Sequence, residues 1–392
     1  MDRRCFIKNS SLAMLGVSAG NAVNGQTASP GMNYRRLGRT GMKISEISLG
    51  GSPVPPEAVF RRAIEAGVNY VDTSSSYMHG NSERMIAKML KEYPGRLFVT
   101  TKFHAGRPGY DRKKLEEEFA GSLERLQVDC VDILMVHGAK NPEILADEEV
   151  MGLFDKFKKE GKIRFTGVSC HTDPLAVLPA AIESGRYDIV TVGYNAFSGN
   201  LVKKDGVYEN YLKLSGIERA IELAGKHDVG VVAMKTLAGG QRQDLAKYKN
   251  MGVSLPQAKL KWVLENSAVA AAIVEMTTFD MLEEDLAVSG SELSGVEKTA
   301  LIDHVQSRAS RTCRMCGNCV GVCPRHVAIP DILRYALYHA EHGKTGLASA
   351  KYRRLPGEHR ADGCDSCGRC QTACPNRLPI VSMLRSAHNI LG

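Results

Sequence analysis

Short apolar runs alternate with amphipathic stretches along most of the chain. Eight such runs are predicted strands: Glu46–Gly50, Val68–Thr73, Leu97–Phe103, Val131–His137, Ile163–Ser169, Ile189–Tyr194, Gly230–Lys235 and Ala270–Glu275. Between them apolar residues recur at helical spacing, most clearly in Lys113–Leu126. Strands and helices in regular alternation predict a parallel sheet that is covered by helices and closed as a (β/α)₈ barrel.

The other predicted helices follow the same periodicity: Glu57–Ala66, Ser82–Leu90, Asp147–Glu160, Ala176–Ser184, Ile217–His227, Leu255–Glu265 and Phe279–Ala287. An open, doubly wound sheet is the rival fold. It usually carries a glycine-rich fingerprint after its first strand, and the run from Ser48 to Ser52 does not match one. Ahead of the first strand, Met32–Ser45 is predicted to form a hairpin around a glycine-containing turn.

Length and charge limit the possible functions. The 392 residues exceed one barrel of about 250 residues and leave about 100 residues for a second domain. The net charge of +8 is scattered and no nucleic-acid motif is present, so we expect no nucleic-acid partner. No stretch approaches the roughly 20 apolar residues of a membrane span, so we expect no integral membrane segment.

The predicted strand Val68–Thr73 is unusual because a charged residue, Asp72, lies near its end. A polar loop follows, and Tyr77 lies a few residues further on. In a (β/α)₈ barrel the carboxyl end of a strand lies at the mouth, where active sites of this fold are found. We therefore expect the chemistry of the protein to be centred here.

From Met32 to about Gly290 the chain resembles an aldo/keto reductase. The resemblance is carried by the segments Arg36–Gly41, Val71–Tyr77, Thr101–Phe103, Val136–His137 and Gly167–Ser169. It implies an enzyme that interconverts a carbonyl and an alcohol by hydride transfer. The implied catalytic residues are Asp72, Tyr77, Lys102 and His137.

The side chains of this tetrad suit that chemistry. A carbonyl that accepts a hydride also needs a proton, and a free phenol with a pKa of about 10 is a reluctant donor at neutral pH. We expect the Lys102 ammonium to lower the pKa of Tyr77, and Asp72 to hold Lys102 charged and oriented. His137 is expected to hydrogen-bond the substrate oxygen.

The resemblance also implies contacts to a nicotinamide dinucleotide, NAD or NADP. The implied residues follow the later strands: Ser169, Cys170, Tyr194, Asn195, Lys235, Thr236, Leu237, Glu284 and Asp285. Tyr194 is either a residue that stacks on the nicotinamide or a core aromatic. The loop after the last strand, residues 274–279, has an acid and no base, which disfavours the 2′-phosphate of NADP. NAD, weak binding and a lost cofactor all remain open.

Two cysteine runs near the C-terminus share the spacing C-x₂-C-x₂-C-x₃-C-P, which is the ligand pattern of two-cluster [4Fe–4S] ferredoxins. In such proteins the fourth cysteine of each run ligates the other cluster. One predicted ligand set is Cys313, Cys316, Cys319 and Cys374. The other is Cys364, Cys367, Cys370 and Cys323. Zinc or disulfide bonds are the alternatives. A helical link, Asp331–His342, resembles the helical type of ferredoxin domain.

The N-terminus resembles a twin-arginine export signal, with Arg3 and Arg4 followed by Phe6, Lys8 and a weakly apolar stretch. It predicts export to the periplasm or cell exterior, and a cytoplasmic protein with a disordered tail is the alternative. The predicted domains are a signal and linker (1–31), an aldo/keto reductase barrel (32–295) and a [4Fe–4S] domain (296–392).

Besides an electron-transfer module in which the barrel is only a scaffold or binding domain, two functions are compatible with these features. In the first, the barrel reduces a small carbonyl compound or oxidises the corresponding alcohol with a nicotinamide. In the second, substrate electrons pass through the two clusters to a redox partner protein, and the barrel does not use free NAD(P)H. A nicotinamide moves two electrons as hydride whereas a cluster moves one, so direct coupling needs a splitter such as a flavin.

Overall fold

The structure is a computed structural model that describes residues 31–105, 110–198, 200–204, 207–211, 216–237, 246–308 and 310–392. For residues 200–204, 207–211, 246 and 341–342 only the backbone is described. The predicted export signal lies outside the described residues, apart from Gly31. None of the helices in the described ranges is long and apolar enough to cross a membrane.

The strands alternate with helices up to residue 286. The strands are β1 (Tyr34–Arg36), β2 (Lys43–Ser45), β3 (Ile47–Gly50), β4 (Tyr70–Asp72), β5 (Phe98–Phe103), β6 (Val131–Ala139), β7 (Ile163–Cys170), β8 (Ile189–Gly193), β9 (Asn200–Lys204), β10 (Val207–Tyr211), β11 (Gly230–Met234) and β12 (Val269–Val274). The helices of this part are α1 (Glu57–Glu65), α2 (Asn81–Glu92), α3 (Arg112–Leu126), α4 (Glu148–Lys159), α5 (Pro174–Glu183), α6 (Gly216–Lys226), α7 (Ala246–Lys249), α8 (Leu255–Leu264) and α9 (Phe279–Leu286).

Eight of the strands form a closed barrel in the order β11-β12-β3-β4-β5-β6-β7-β8, and every neighbouring pair is parallel. These are the eight strands predicted from the apolar runs, so the predicted barrel is confirmed. Helices α3 and α4 begin where the pattern predicts, because Asp111 and Asp147 accept hydrogen bonds from backbone N–H groups of the first turn. Strands β9 and β10 form a separate antiparallel hairpin after β8.

The hairpin β1–β2 covers the end of the barrel opposite the mouth. Its residues Leu37, Met42 and Ile44 are buried in one apolar cluster with residues that fill the barrel interior, among them Tyr70 and Ile133. The hairpin is also held from outside, since Arg36 pairs with Asp228 just before β11. This end of the barrel is therefore filled with side chains, and the chemistry is confined to the other end.

The C-terminal part contains α10 (Gly295–Arg308), α11 (Ile329–His342), α12 (Thr345–Arg353), α13 (Arg369–Ala373) and α14 (Ile380–Leu391). Helix α10 was predicted to belong to the second domain, but its Ala300, Leu301 and Val305 pack in the core of the barrel. A second apolar core gathers α11, α12 and α14 with cysteines of both runs. We call residues 312–392 the cluster domain.

Two glycines of the β1–β2 hairpin provide a test of how tightly it fits. Both have left-handed backbones, with φ of +48° at Gly38 and +68° at Gly41. A Cβ on Gly38 would overlap the backbone nitrogen of Gly230, whereas a Cβ on Gly41 would meet nothing within 4 Å. Gly41→Ala should therefore cost about 1 kcal/mol of backbone strain, and Gly38→Ala about 1–3 kcal/mol more.

Denaturant unfolding followed by tryptophan fluorescence measures this difference, because Trp262 in α8 is the only tryptophan and is buried in the barrel core. Equal losses of stability in the two variants would show that the hairpin is not closely packed against β11 at Gly38.

Candidate active site and cysteine cavities

The four predicted catalytic residues lie together at the barrel mouth. Asp72 ends β4, Lys102 and His137 lie near the ends of β5 and β6, and Tyr77 follows β4 by five residues. The Lys102 Nζ is 2.6 Å from Asp72 Oδ1 and 5.2 Å from the centre of the Tyr77 ring. The rings of Tyr77 and His137 meet edge-on with their centres 5.6 Å apart. A phenol, an ammonium, a carboxylate and an imidazole thus share one rim.

Lys102 and Asp72 form a buried ion pair. The Lys102 ammonium also donates to the carbonyl oxygen of Thr73, at 2.7 Å, while Asp72 Oδ2 is buried with no hydrogen-bond partner among the described residues. Burial lowers the pKa of Lys102 and raises that of Asp72, and the attraction between the two charges opposes both shifts. Each charge is therefore kept mainly by the presence of the other.

The pKa of Tyr77 is raised, which corrects the expectation that Lys102 lowers it. Burial is the main cause, because it disfavours the phenolate; the charge of Asp72 adds to it, and Tyr338 of α11 contributes further. The sequence pattern placed an ammonium near the phenol but did not reveal how deeply the phenol is enclosed. Tyr77 is thereby held in its protonated form, which is the form that donates a proton.

A second layer of polar residues around His137 was missed by sequence reasoning. His137 Nδ1 lies 2.9 Å from Ser74 Oγ, and its ring centre is 4.4 Å from that of His104. His104 in turn contacts Glu118 of α3, with Nδ1 2.6 Å from Oε1. Although burial raises the pKa of Glu118, hydrogen bonds from His104 and Ser75 outweigh it and hold that pKa at about 2. His104 directly follows β5, so the strand-end rule that pointed to Asp72 could also have identified it.

Most residues predicted to contact a dinucleotide are enclosed by protein. Ser169, Cys170, Asn195, Thr236 and Asp285 are buried. The Ser169 hydroxyl accepts from the backbone N–H of Gly138, and the Asn195 amide donates to the carbonyl oxygen of Lys235.

Tyr194 is a core aromatic rather than a stacking platform. Its side chain is 0% exposed and its ring packs on Trp262 with the centres 5.0 Å apart. Of the two alternatives given for Tyr194, its packing therefore favours the core aromatic over the residue that stacks on a nicotinamide.

Lys235 and Glu284 are the partly exposed members of the set, and Leu237 lies just below the surface. Lys235 Nζ is 2.7 Å from Nδ1 of His171, which follows Cys170 at the end of β7. The ring centres of His171 and His137 are 6.0 Å apart, so His171 links Lys235 to the tetrad. Glu284 accepts a hydrogen bond from Ser254. A nicotinamide therefore fits in part: the hydroxyl, amide and ammonium have suitable chemistry, and the stacking ring does not.

The structure brings the eight C-terminal cysteines together in two cavities. The first is lined by Cys313, Cys316, Cys319 and Cys374, and the second by Cys323, Cys364, Cys367 and Cys370. Each cavity therefore receives three cysteines of one run and the fourth cysteine of the other. All eight are free thiols, which argues against disulfide bonds.

The chemistry of these donor sets fits iron–sulfur clusters. Within the described ranges no three His, Cys, Asp or Glu side chains converge closely enough to hold a single metal ion, as a zinc site would require. The sulfurs instead surround a space. Burial raises the pKa of Cys313 to about 12. A bound metal centre would supply positive charge that stabilises its thiolate.

The cluster domain contacts the barrel at its mouth. A Cβ on Gly317, in the first cysteine run, would lie 2.8 Å from Oδ1 of Asp173, which follows β7. After α11, Lys344 pairs with Glu275, which follows β12, at 3.7 Å. The first cysteine cavity and α11 thus both belong to a domain that lies against the barrel mouth.

A closed parallel barrel with these four side chains at one rim is the arrangement of an oxidoreductase. The aldo/keto reductase family profile matches residues 49–305 and a 4Fe-4S dicluster domain profile matches residues 312–379. The chain belongs to the aldo/keto reductase family, and it carries a 4Fe-4S dicluster domain at its C-terminal end.

Individual relatives agree with this assignment. L-galactose dehydrogenase of Arabidopsis thaliana is 28% identical over 306 residues, which cover 69% of this chain and 92% of that protein. The uncharacterized oxidoreductase YqkF of Bacillus subtilis is 23% identical over 70% of this chain and 97% of its own length. The aldo-keto reductase AKR11C1 from Bacillus halodurans has the same fold, with a TM-score of 0.53 at 22% identity, covering 70% of this chain and 96% of that one.

The buried pair predicts a large loss of stability when one partner is removed. Lys102→Met should destabilise the barrel by about 3–5 kcal/mol, because Asp72 then remains as an uncompensated buried charge. The double variant Asp72→Asn with Lys102→Met should recover much of this loss. Denaturant unfolding followed by Trp262 fluorescence measures the stability of the single and of the double variant.

The matched control is Lys226→Met, which removes an exposed lysine 3.5 Å from Glu222 and should change stability by less than about 1 kcal/mol. A double variant no more stable than Lys102→Met would contradict the buried-charge account.

Proposed function

We propose that the protein is an oxidoreductase that interconverts a carbonyl and an alcohol, with Tyr77 as the group that gives and takes the proton. The observation that supports this most is the placement of the Tyr77 ring against both the Lys102 ammonium and the His137 imidazole. The substrate class is a small aldehyde, ketone or sugar-like carbonyl. A relative named L-galactose dehydrogenase is consistent with a sugar-like substrate.

Each residue of the tetrad has a defined task in this proposal. In reduction Tyr77, held protonated by burial, gives its proton to the substrate oxygen, and the nearby Lys102 ammonium stabilises the phenolate that is left. Asp72 keeps Lys102 charged and fixed. His137, oriented by Ser74, donates or accepts a hydrogen bond at the substrate oxygen. In oxidation the same residues act in reverse.

A nicotinamide dinucleotide would be held by Ser169, Asn195 and Lys235, and it would supply the hydride. We propose NAD rather than NADP. This side of the mouth carries two carboxylates, Glu275 after β12 and Glu284 of α9, which would repel a 2′-phosphate. The nearby Lys344 already pairs with Glu275, and Glu284 accepts a hydrogen bond from Ser254.

Removal of the Tyr77 hydroxyl should abolish carbonyl reduction. Tyr77→Phe keeps the ring and loses the proton donor, so the rate with NADH should fall by about 10²–10⁴-fold while the iron content stays unchanged. The measurement is steady-state reduction of a panel of aldehydes and sugars, together with iron and sulfide analysis.

Tyr93→Phe is the matched control, because the Tyr93 hydroxyl contacts Glu65 on the outer surface of the barrel. It should leave the rate unchanged. Turnover retained in Tyr77→Phe would remove this residue from the role proposed here.

We also propose that the two cysteine cavities hold two [4Fe–4S] clusters with exchanged fourth ligands. The cavity linings support this, since Cys374 lines the cavity of the first run and Cys323 that of the second. The full chain should contain about eight irons and eight sulfides, following from two four-iron clusters.

A pair of combined variants tests the exchange. Replacing Cys313, Cys316 and Cys319 by alanine should leave one cluster. Adding Cys374→Ala should then have no further effect, whereas adding Cys323→Ala should remove a ligand and convert the remaining cluster to a three-iron form visible by electron paramagnetic resonance. The opposite result would assign each fourth cysteine to its own run.

A second candidate function is supported by the contact between Gly317 and Asp173, which brings the first cysteine run next to the barrel mouth. In this candidate, substrate electrons leave through the clusters to a redox partner. Anaerobic addition of substrate alone separates the two. Bleaching of the cluster absorbance without added nicotinamide would favour the second candidate, and unchanged absorbance the first. Mass spectrometry of small molecules released from the protein would show NAD, a flavin or neither.

A further inference from the structure

Helix α11 buries a polar face. Its Ile332 and Leu333 pack in the core of the cluster domain. Asp331, Arg334 and Tyr338 follow one another at helical spacing on a different face. The side chains of Asp331 and Arg334 are only 7% and 10% exposed. Since buried charges need a protein surface or a ligand against them, this face must be covered by something outside the domain's own core.

The covering surface is the barrel mouth. The cysteine run before α11 touches the barrel where Gly317 lies against Asp173, and Lys344, just after the helix, pairs with Glu275; both contacts are at the carboxyl ends of barrel strands. Tyr338 is close enough to Tyr77 to contribute to its raised pKa. Arg334, one turn before Tyr338, therefore lies at the mouth beside the tetrad.

One end of Arg334 is unsatisfied there. Its Nη2 donates to Asp331 and Tyr335 also interacts with the guanidinium, but Nη1 is buried with no hydrogen-bond partner among the residues that the structure describes. The guanidinium is always charged and its N–H groups are strong donors, so leaving one buried and unpaired is costly. Arg314, and not Arg334, lines the first cysteine cavity. Arg334 is nevertheless close enough to Cys313 for its charge to oppose the raised pKa of that thiol, so the test includes a cluster sulfide as a rival acceptor.

The barrel side of the same place also carries basic groups. Lys235 contacts His171, with its Nζ 2.7 Å from the ring Nδ1. Burial, and after it the charge of Arg334, lowers the pKa of Lys235 well below its usual range; Asp331 and Cys170 oppose this. Burial, Lys235 and Arg334 lower the pKa of His171 in the same way. An anion between these groups would stabilise their protonated forms, which burial and mutual repulsion disfavour.

We propose that Arg334 binds a carboxylate of the substrate, so that the enzyme acts on carbonyl compounds that carry an acid group, such as oxo acids and hexuronates. The cluster domain thereby supplies a specificity residue to the barrel. A guanidinium offers two parallel donors that match a carboxylate. This inference rests on the proposed function for the carbonyl chemistry. A phosphate of a dinucleotide has the same oxygen chemistry, and the test separates the two sources.

The test compares glucuronate with glucose, which differ in the carboxylate at one end, using the full iron-loaded chain. The kcat/KM for glucuronate should exceed that for glucose by about 10–100-fold, the range for a hydrogen bond to a charged group. Arg334→Gln should remove this preference, mainly through KM, and should change the value for glucose less than about threefold. Arg334→Lys should restore part of the preference, because it keeps the charge and loses the paired donors.

Arg354→Gln is the matched control, since Arg354 is an exposed arginine of the same domain. It should leave the preference for glucuronate intact. An equal loss on both sugars in Arg334→Gln would reduce Arg334 to a structural residue. A loss confined to the KM for the nicotinamide would assign it to a phosphate. A shift of the cluster reduction potential with unchanged sugar preference would assign it to a cluster. Each of these results overturns the proposal.

Calorimetric titration with glucuronate separates this inference from the function on which it rests. Arg334-dependent binding in a protein that reduces neither sugar would leave the inference standing and remove the proposed function. Reduction of both sugars at equal kcat/KM would leave the proposed function standing and remove the inference about Arg334. No binding of glucuronate to the wild-type chain would overturn the inference directly.

Discussion

The arrangement of polar side chains at the barrel mouth depends on the buried ammonium of Lys102. It lies at the end of β5, next to β4, and in parallel strands the neighbouring ends point the same way, so Asp72 can reach it. Enclosure weakens both charges and the pair survives through mutual attraction. Tyr77 lies against this pair, and its own enclosure keeps the phenol protonated. The acid chemistry of the site therefore follows from how the rim is covered, as well as from which residues it contains.

Sequence patterns predicted those parts of the molecule that depend on local spacing. The eight strands were visible as apolar runs, and the helices as amphipathic stretches, because each needs one face or both faces buried. The tetrad could be located because Asp72, Lys102 and His137 fall near strand ends, which a closed barrel brings to one rim. The cysteine runs were visible because cluster ligands are close in sequence.

The remaining features depend on contacts between distant segments. Tyr194 was assigned to a ligand surface or to the core, and only the packing of α8 against it decides for the core. The direction of the Tyr77 pKa shift depends on burial, which the residue pattern does not predict. His104 could have been noticed at the end of β5, but no motif reveals that it pairs with Glu118, 14 positions further on. Arg334 lies in a helix that looks like an ordinary domain linker until its polar face is found against the barrel.

The hairpin β1–β2 has a consequence for molecular exchange. Leu37, Met42 and Ile44 fill the opening opposite the tetrad, so in the part of the chain that the structure describes this end offers no passage into the barrel. Incoming and outgoing molecules must share the rim beside α11. A reaction product that departs slowly would therefore block its successor, and competitive product inhibition is an expected property of an enzyme with this shape.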